Sequence, residues 1–160
     1  MASSKPTVIF VPGAWHGPDA FGNVRKQLES HDYPTVGISL PSVGAEPPLK
    51  SWDKDVDTIQ IAVKDVADKG GDVVLVMHSY GALPSCEAAK GFVKMQREKK
   101  GMKGGIVRLV YLCSVVLPER AVLMGLTNNE PAPWLEIDVI VLSFACLIMV
   151  SSNFNSLFSL

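Results

Sequence analysis

The residues best suited to chemistry lie at one junction, Val76-Met77-His78-Ser79-Tyr80-Gly81-Ala82. Ser79 stands just beyond an apolar run that reads as a buried strand, and just before a segment that reads as a helix. A serine in that place sits on a tight, strained turn that pushes its hydroxyl out at the carboxyl edge of the sheet, where it can act as a nucleophile. Gly81 and Ala82 are small enough to let the turn close and the helix pack near the strand. The start of the helix brings N–H groups and a partial positive charge near the point where an oxyanion would form. The same residues also fit an ordinary strand-to-helix turn capped by a serine.

A second segment bears on that choice. From Val8 to Gly17 a strand-like run leads into the Gly-containing loop Pro12-Gly13-Ala14-Trp15-His16-Gly17. The Ser79 junction resembles the nucleophile elbow of α/β-hydrolases, G-x-S-x-G, with Met77 in place of the first glycine. The resulting x-H-S-x-G form resembles the esterase, haloperoxidase and hydroxynitrile-lyase-like branches. The loop resembles the oxyanion-hole loop of the same superfamily, with Pro12-Gly13 in place of the common H-G. The resemblance covers Thr7 to about Asp138. It implies Ser79 as nucleophile and the backbone N–H groups of Ala14 and Tyr80 as oxyanion donors. It also implies acyl transfer on an ester-like small molecule, with no metal and no cofactor. Lyase and cofactor-free peroxidase chemistry use the same elbow, so the resemblance leaves reaction type open.

A serine hydroxyl needs a positioned base, and the superfamily's chain order is Ser, then acid, then His. The histidines are His16, His31 and His78, and none follows His78. His78 adjoins Ser79, but on an elbow its side chain points away from the serine hydroxyl. His16 and Trp15 are candidate substrate contacts, and for His16 a loop-stabilising hydrogen bond is the alternative. His31 reads as a surface residue at a helix end. Glu119, Glu130, Glu136 and Asp138 come after Ser79, yet none has the strand-then-histidine context of a triad acid, so none is assigned.

These groups need a scaffold, and the apolar pattern supplies one. Strands are expected at Thr7–Val11, Thr35–Leu40, Asp72–Met77 and Ile106–Leu112. Helical spacing of Phe21, Val24 and Leu28, begun by Pro18-Asp19, predicts a first helix. A second is capped by Ser51, carries Trp52, Val56, Ile59, Val63 and Val66 on its apolar side and Lys54, Asp55, Asp57, Lys64 and Asp65 on the other, and stops at Gly70-Gly71. A third runs from the elbow to about Lys99. This alternation predicts an α/β fold: a doubly wound, mainly parallel sheet with helices on both faces, an incomplete α/β-hydrolase fold. Residues 1–138 form the N-terminal part of that domain, with the start of a cap at 118–138.

The 160 residues are 48% hydrophobic and 19% charged with a net charge of -1, which gives no reason to expect nucleic acid as a partner. The basic cluster Lys94, Arg97, Lys99, Lys100 and Lys103 reads as a solvated face. Cys86, Cys113 and Cys146 are odd in number, far apart and in apolar surroundings, and read as buried thiols in a reducing compartment. No run of signal-peptide length opens the chain, so the expected location is the cytoplasm.

The tail is different. From Val139 to Leu160 there is no charged residue, and the dense apolar part is shorter than the roughly 20 residues a spanning helix needs. The switch suggests translated non-coding sequence after Asp138. A sheet ending at the Ile106 strand would have an open edge, which the tail could cover, and marginal stability is expected. Three readings follow: a serine hydrolase nearly inactive without its acid and histidine; a non-catalytic binder of a small apolar ligand on the same fold; and, less favoured, a membrane anchor at 139–160.

Overall fold

A computed structural model of the chain describes residues 5–114, 116 and 117, and the backbone of residues 148–151. The expected cap, its four acidic residues, Cys146 and the remainder of the tail lie outside the described residues. Short runs of β-branched and other apolar residues form a sheet of strands β1 (Thr7–Val11), β2 (Thr35–Gly37), β3 (Asp72–His78), β4 (Gly105–Leu112) and β5 (Ile148–Ser151). Their order is β2-β1-β3-β4-β5, with β1 to β4 parallel and β5 antiparallel to β4. Helix α1 (Gly22–Glu29) joins β1 to β2, and α2 (Asp53–Ala67) carries the chain from β2 past β1 to β3. After β3 come α3 (Ala82–Ala88) and α4 (Lys94–Glu98).

The period-2 alternation of the strands divides the apolar residues between two faces. Ile9, Val11, Leu75 and Met77 pack with Ile59 and Val63 of α2 on one side. Val8, Phe10 and Val76 pack with Phe21, Leu28 and Tyr33 on the other. The pairing of β3 with β4 shifts between Val73 and Val74, which puts Ile106 and Leu109 on the same face. Helices thus cover both faces of a mainly parallel sheet, as the alternation of elements predicts. Ile9, Ile59 and Leu75 have no exposure, and burying a side chain of that size is worth about 1.5–3 kcal/mol.

Several local expectations change. β2 stops at Gly37, where a Cβ would lie 2.7 Å from an Arg25 nitrogen and 2.8 Å from Pro18 Cβ. The third expected helix is broken in two. Gly91 takes a left-handed turn at φ 79, and Val93 pairs with Ile106 before α4 starts, so the chain returns to the sheet edge between the helices. Ser51 is not the cap of α2: Trp52 is, and the Ser51 hydroxyl donates instead to the Asp53 carboxylate at 2.8 Å. Val24 is exposed although its neighbours Phe21 and Leu28 pack inward.

Arg97 is buried, unlike the exposed Lys99, Lys100 and Lys103, and Lys94 bonds Asp72 at 2.8 Å. Asp55 is also buried, on the line of Ile59, Val63 and Ala67 rather than on the solvent side of α2. Cys86 is half-buried, its thiol 3.3 Å from the Tyr111 hydroxyl, and burial pushes its pKa up. Among the described residues no helix is long and apolar enough to cross a membrane. The backbone of Ile148–Ser151 lies along Leu109–Leu112, so part of the uncharged tail does cover the edge of β4.

Candidate active site

β1 and β3 are adjacent and parallel, with Val11 beside Met77, so the segments that leave their carboxyl ends must leave side by side. Ser79 directly follows β3 and has φ 48, in the left-handed region that a residue with a Cβ occupies at a cost of about 1–3 kcal/mol. A turn of 3-10 helix, Ser79–Gly81, then leads into α3. Because α3 has only seven residues, what this end offers a ligand is backbone N–H groups rather than a long helix dipole.

The contact between the two segments is made by glycines. A Cβ on Gly81 would lie 2.4 Å from the Pro12 carbonyl oxygen and 2.9 Å from that of Val11. A Cβ on Gly13 would lie 2.8 Å from His78 Nδ1 and 3.1 Å from Ser79 Cβ. The loop holding Ala14 is therefore pressed against the turn holding Ser79 and Tyr80. Gly81→Ala is expected to cost about 1–3 kcal/mol, since the added methyl meets backbone that can yield only by separating the segments. Thermal melting checks it, and an unchanged midpoint would mean that the close approach is not required.

Trp15 and His16 lie on the loop and His78 ends β3, whereas His31 lies just past the end of α1. Trp15 has φ 62 and is 63% exposed, so its ring lies open beside the loop. His16 is exposed and its Nδ1 donates to the Ala14 carbonyl at 2.7 Å, the loop-stabilising bond that was the alternative to a substrate contact. His78 is half-buried, edge-on to Phe21 at 6.5 Å and to His16 at 6.1 Å between ring centroids. Burial, and then the nearby His16, hold its pKa below the usual histidine value. His31 is exposed, bonding the Gln27 carbonyl at 2.9 Å, as expected for a helix end. Among the described residues no cluster of three or more His, Cys, Asp or Glu side chains could hold a metal ion.

Two polar residues at this edge were not singled out in the sequence. Ser114, just after β4, donates its hydroxyl to the Ser79 carbonyl at 2.9 Å. Asp55, with no exposure, accepts from the Tyr80 hydroxyl at 2.7 Å and from the Ser42 amide at 2.9 Å. The place of Asp55 four residues before Ile59 and eight before Val63, on one helical line, was the available signal for the second; nothing local marks the first.

The sequence matches the Alpha/beta hydrolase family over residues 8–151, and the chain belongs to that family. It is 36% identical over 121 residues to "Alpha/beta hydrolase nvfD" of Aspergillus novofumigatus, covering 76% of this chain and 48% of that protein. It is 30% identical over 129 residues to "Probable hydrolase R7" of a Phoma species, covering 79% of this chain and 48% of that one. The chain thus spans about half the length of these curated relatives.

Solved structures share the fold. A polyneuridine aldehyde esterase variant aligns with TM-score 0.60 and 16% identity, over 80% of this chain and 49% of its own. Tomato methylketone synthase I, complexed with 2-tridecanone, aligns with TM-score 0.59 and 15% identity, over 78% of this chain and 46% of its own.

Proposed function

We propose that this chain carries the nucleophile side of a serine hydrolase site acting on an ester or similar carbonyl of a small molecule. Ser79 is the attacking group, and the N–H groups of Ala14 and Tyr80 receive the oxyanion. The observation that carries this reading is the left-handed backbone of Ser79 beside a glycine-tight oxyanion loop. Strain of this kind persists where the surroundings enforce it, and a sharp strand-to-helix turn is the backbone that presents a nucleophilic hydroxyl. Fixed backbone donors suit the task because their geometry is set before charge develops, and each is worth about 10²–10³ in rate. Trp15, and His16 by its free Nε2, stand where a substrate would approach.

The base is the open part of the site. No histidine follows His78, and His16 already commits its Nδ1 to Ala14. The chain by itself is therefore expected to turn over very little. The second reading is a non-catalytic binder of a small apolar ligand; methylketone synthase I, which shares the fold, is complexed with 2-tridecanone and fits either.

The test is covalent labelling of the purified chain with a fluorophosphonate, with and without added imidazole, beside Ser79→Ala. Slow labelling that imidazole accelerates, and that Ser79→Ala abolishes, supports the hydrolase reading. Thermal stabilisation by an apolar ester or ketone with no labelling under any condition would replace it with the binder.

A further inference from the structure

We propose that Asp55 is the positioning residue of the Ser79 site, its carboxylate gripping the Tyr80 hydroxyl and so fixing the peptide whose N–H meets the oxyanion. The inference rests on the reading of Ser79 as nucleophile and Tyr80 N–H as donor. A carboxylate with no exposure is costly to keep inside a protein unless its oxygens are engaged. Both are: Oδ1 accepts the Ser42 amide at 2.9 Å and Oδ2 the Tyr80 hydroxyl at 2.7 Å. One side chain thus ties together the loop after β2, the first turn of α2 and the turn that carries the nucleophile.

Tyr80 is then held at both ends. Its backbone belongs to the strained turn, and its phenol is anchored by a charge-assisted hydrogen bond, the stronger kind. A tyrosine has two side-chain torsions, so anchoring the tip leaves the backbone little freedom to rotate. Burial, and then the bond to Asp55, raise the phenol to about 12, so it remains a donor throughout the physiological range. The Ser114 hydroxyl also holds the carbonyl of Ser79. The peptide between Ser79 and Tyr80 is therefore fixed by two contacts, neither of which touches a reacting atom. Misplacement by about 1 Å can cost as much as 10²-fold in rate, which gives such contacts room to matter.

The experiment measures imidazole-supported fluorophosphonate labelling of Ser79, per folded molecule, at a temperature where every variant is folded. Asp55→Asn keeps the volume and one acceptor, and Tyr80→Phe keeps the ring in its apolar cluster. Each is expected to slow labelling about 10-fold, and the double variant is expected to be no slower than either, as for two residues acting through one contact. Ile59→Ala, one turn further along the buried line of α2, lowers the melting temperature without slowing labelling. A tyrosinate absorbance titration reads the bond itself: in Asp55→Asn one tyrosine falls partway from about 12 toward 10.

Undiminished labelling by folded Asp55→Asn, fully additive effects, or an equal slowing by Ile59→Ala would each overturn the positioning role. If the unsubstituted chain does not label even with imidazole, the nucleophile reading fails and takes the positioning role with it. A shifted tyrosine would then mark the Asp55–Tyr80 bond as structural alone.

Discussion

Replacing Arg97 by methionine is expected to lower the melting temperature by roughly 4–8 °C, from a loss of about 2 kcal/mol. Arg97 lies in α4 and is 5% exposed. Its Nε donates to the Gly104 carbonyl at 3.0 Å, and one terminal nitrogen donates to the Ala67 carbonyl at 3.2 Å and to Asp68 at 2.8 Å. Ala67 closes α2, where helix carbonyls have no partner within the helix, and Gly104 turns the chain into β4. The guanidinium therefore ties α4 to acceptors at the end of α2 and at the entry to β4, and it stacks 5.6 Å over Phe92.

Methionine matches much of the volume but donates nothing, so the Gly104 carbonyl loses this partner at about 1–3 kcal/mol, while the Ala67 carbonyl keeps the Gly70 amide at 3.0 Å. The Asp68 ion pair adds little, since that carboxylate is 46% exposed and screened. Arg97→Lys restores one donor and not the fork, and should fall between the two. Lys99→Met and Lys100→Met, on exposed positions nearby, should change stability by less than about 0.5 kcal/mol. Equal melting of Arg97→Met and Lys99→Met would show that the buried fork carries no stability.

Arg97 and Asp55 show where reading by composition stops. β1 was readable to the residue, because a β-branched run bounded by Pro12-Gly13 has one sensible state. β3 and the turn after it were readable because a strand with both faces apolar that ends at a serine and a glycine has few alternatives. A lone charge on an amphipathic helix, in contrast, reads as solvent-facing. Asp55 is buried only because Tyr80 and the Ser42 amide, 25 and 13 residues away in sequence, arrive from elsewhere to meet it. Arg97 is buried only because Ala67 and Gly104 converge on it.

The same reasoning covers the broken helix. Nothing local forbids a helix through Gly91, but pairing of Val93 with Ile106 draws the backbone to the sheet edge, and only a left-handed residue makes that turn. Local pattern identified the elements that carry the candidate site. The polar contacts that hold it are properties of the assembled sheet.

Addition of about 0.1 M imidazole is expected to speed fluorophosphonate labelling of Ser79 by roughly 10- to 100-fold, with no labelling in Ser79→Ala. The serine oxygen attacks phosphorus, fluoride leaves and the hydroxyl proton must go to a base. A positioned base supplies about 10²–10⁴ of rate, and without it an oxyanion site retains only residual activity. Free imidazole lacks the effective concentration of a tethered side chain, so it recovers only part of that factor. Only the neutral form accepts a proton. The acceleration should therefore rise with pH through about 6.5, the ordinary imidazole range, and level off above it.

Ser79→Ala separates this from labelling elsewhere on the chain, and Gly81→Ala separates an intact turn from a disordered one. Rapid labelling without imidazole would overturn the reading that the chain lacks a working base. His16→Ala would then decide whether the free Nε2 of His16 is that base, because His78, held below its usual pKa by burial, sits in a ring cluster with Phe21. Loss of rapid labelling in His16→Ala would move His16 from the oxyanion loop's support into the reaction itself. Persistence would leave the proton acceptor to be sought among the residues that follow β4.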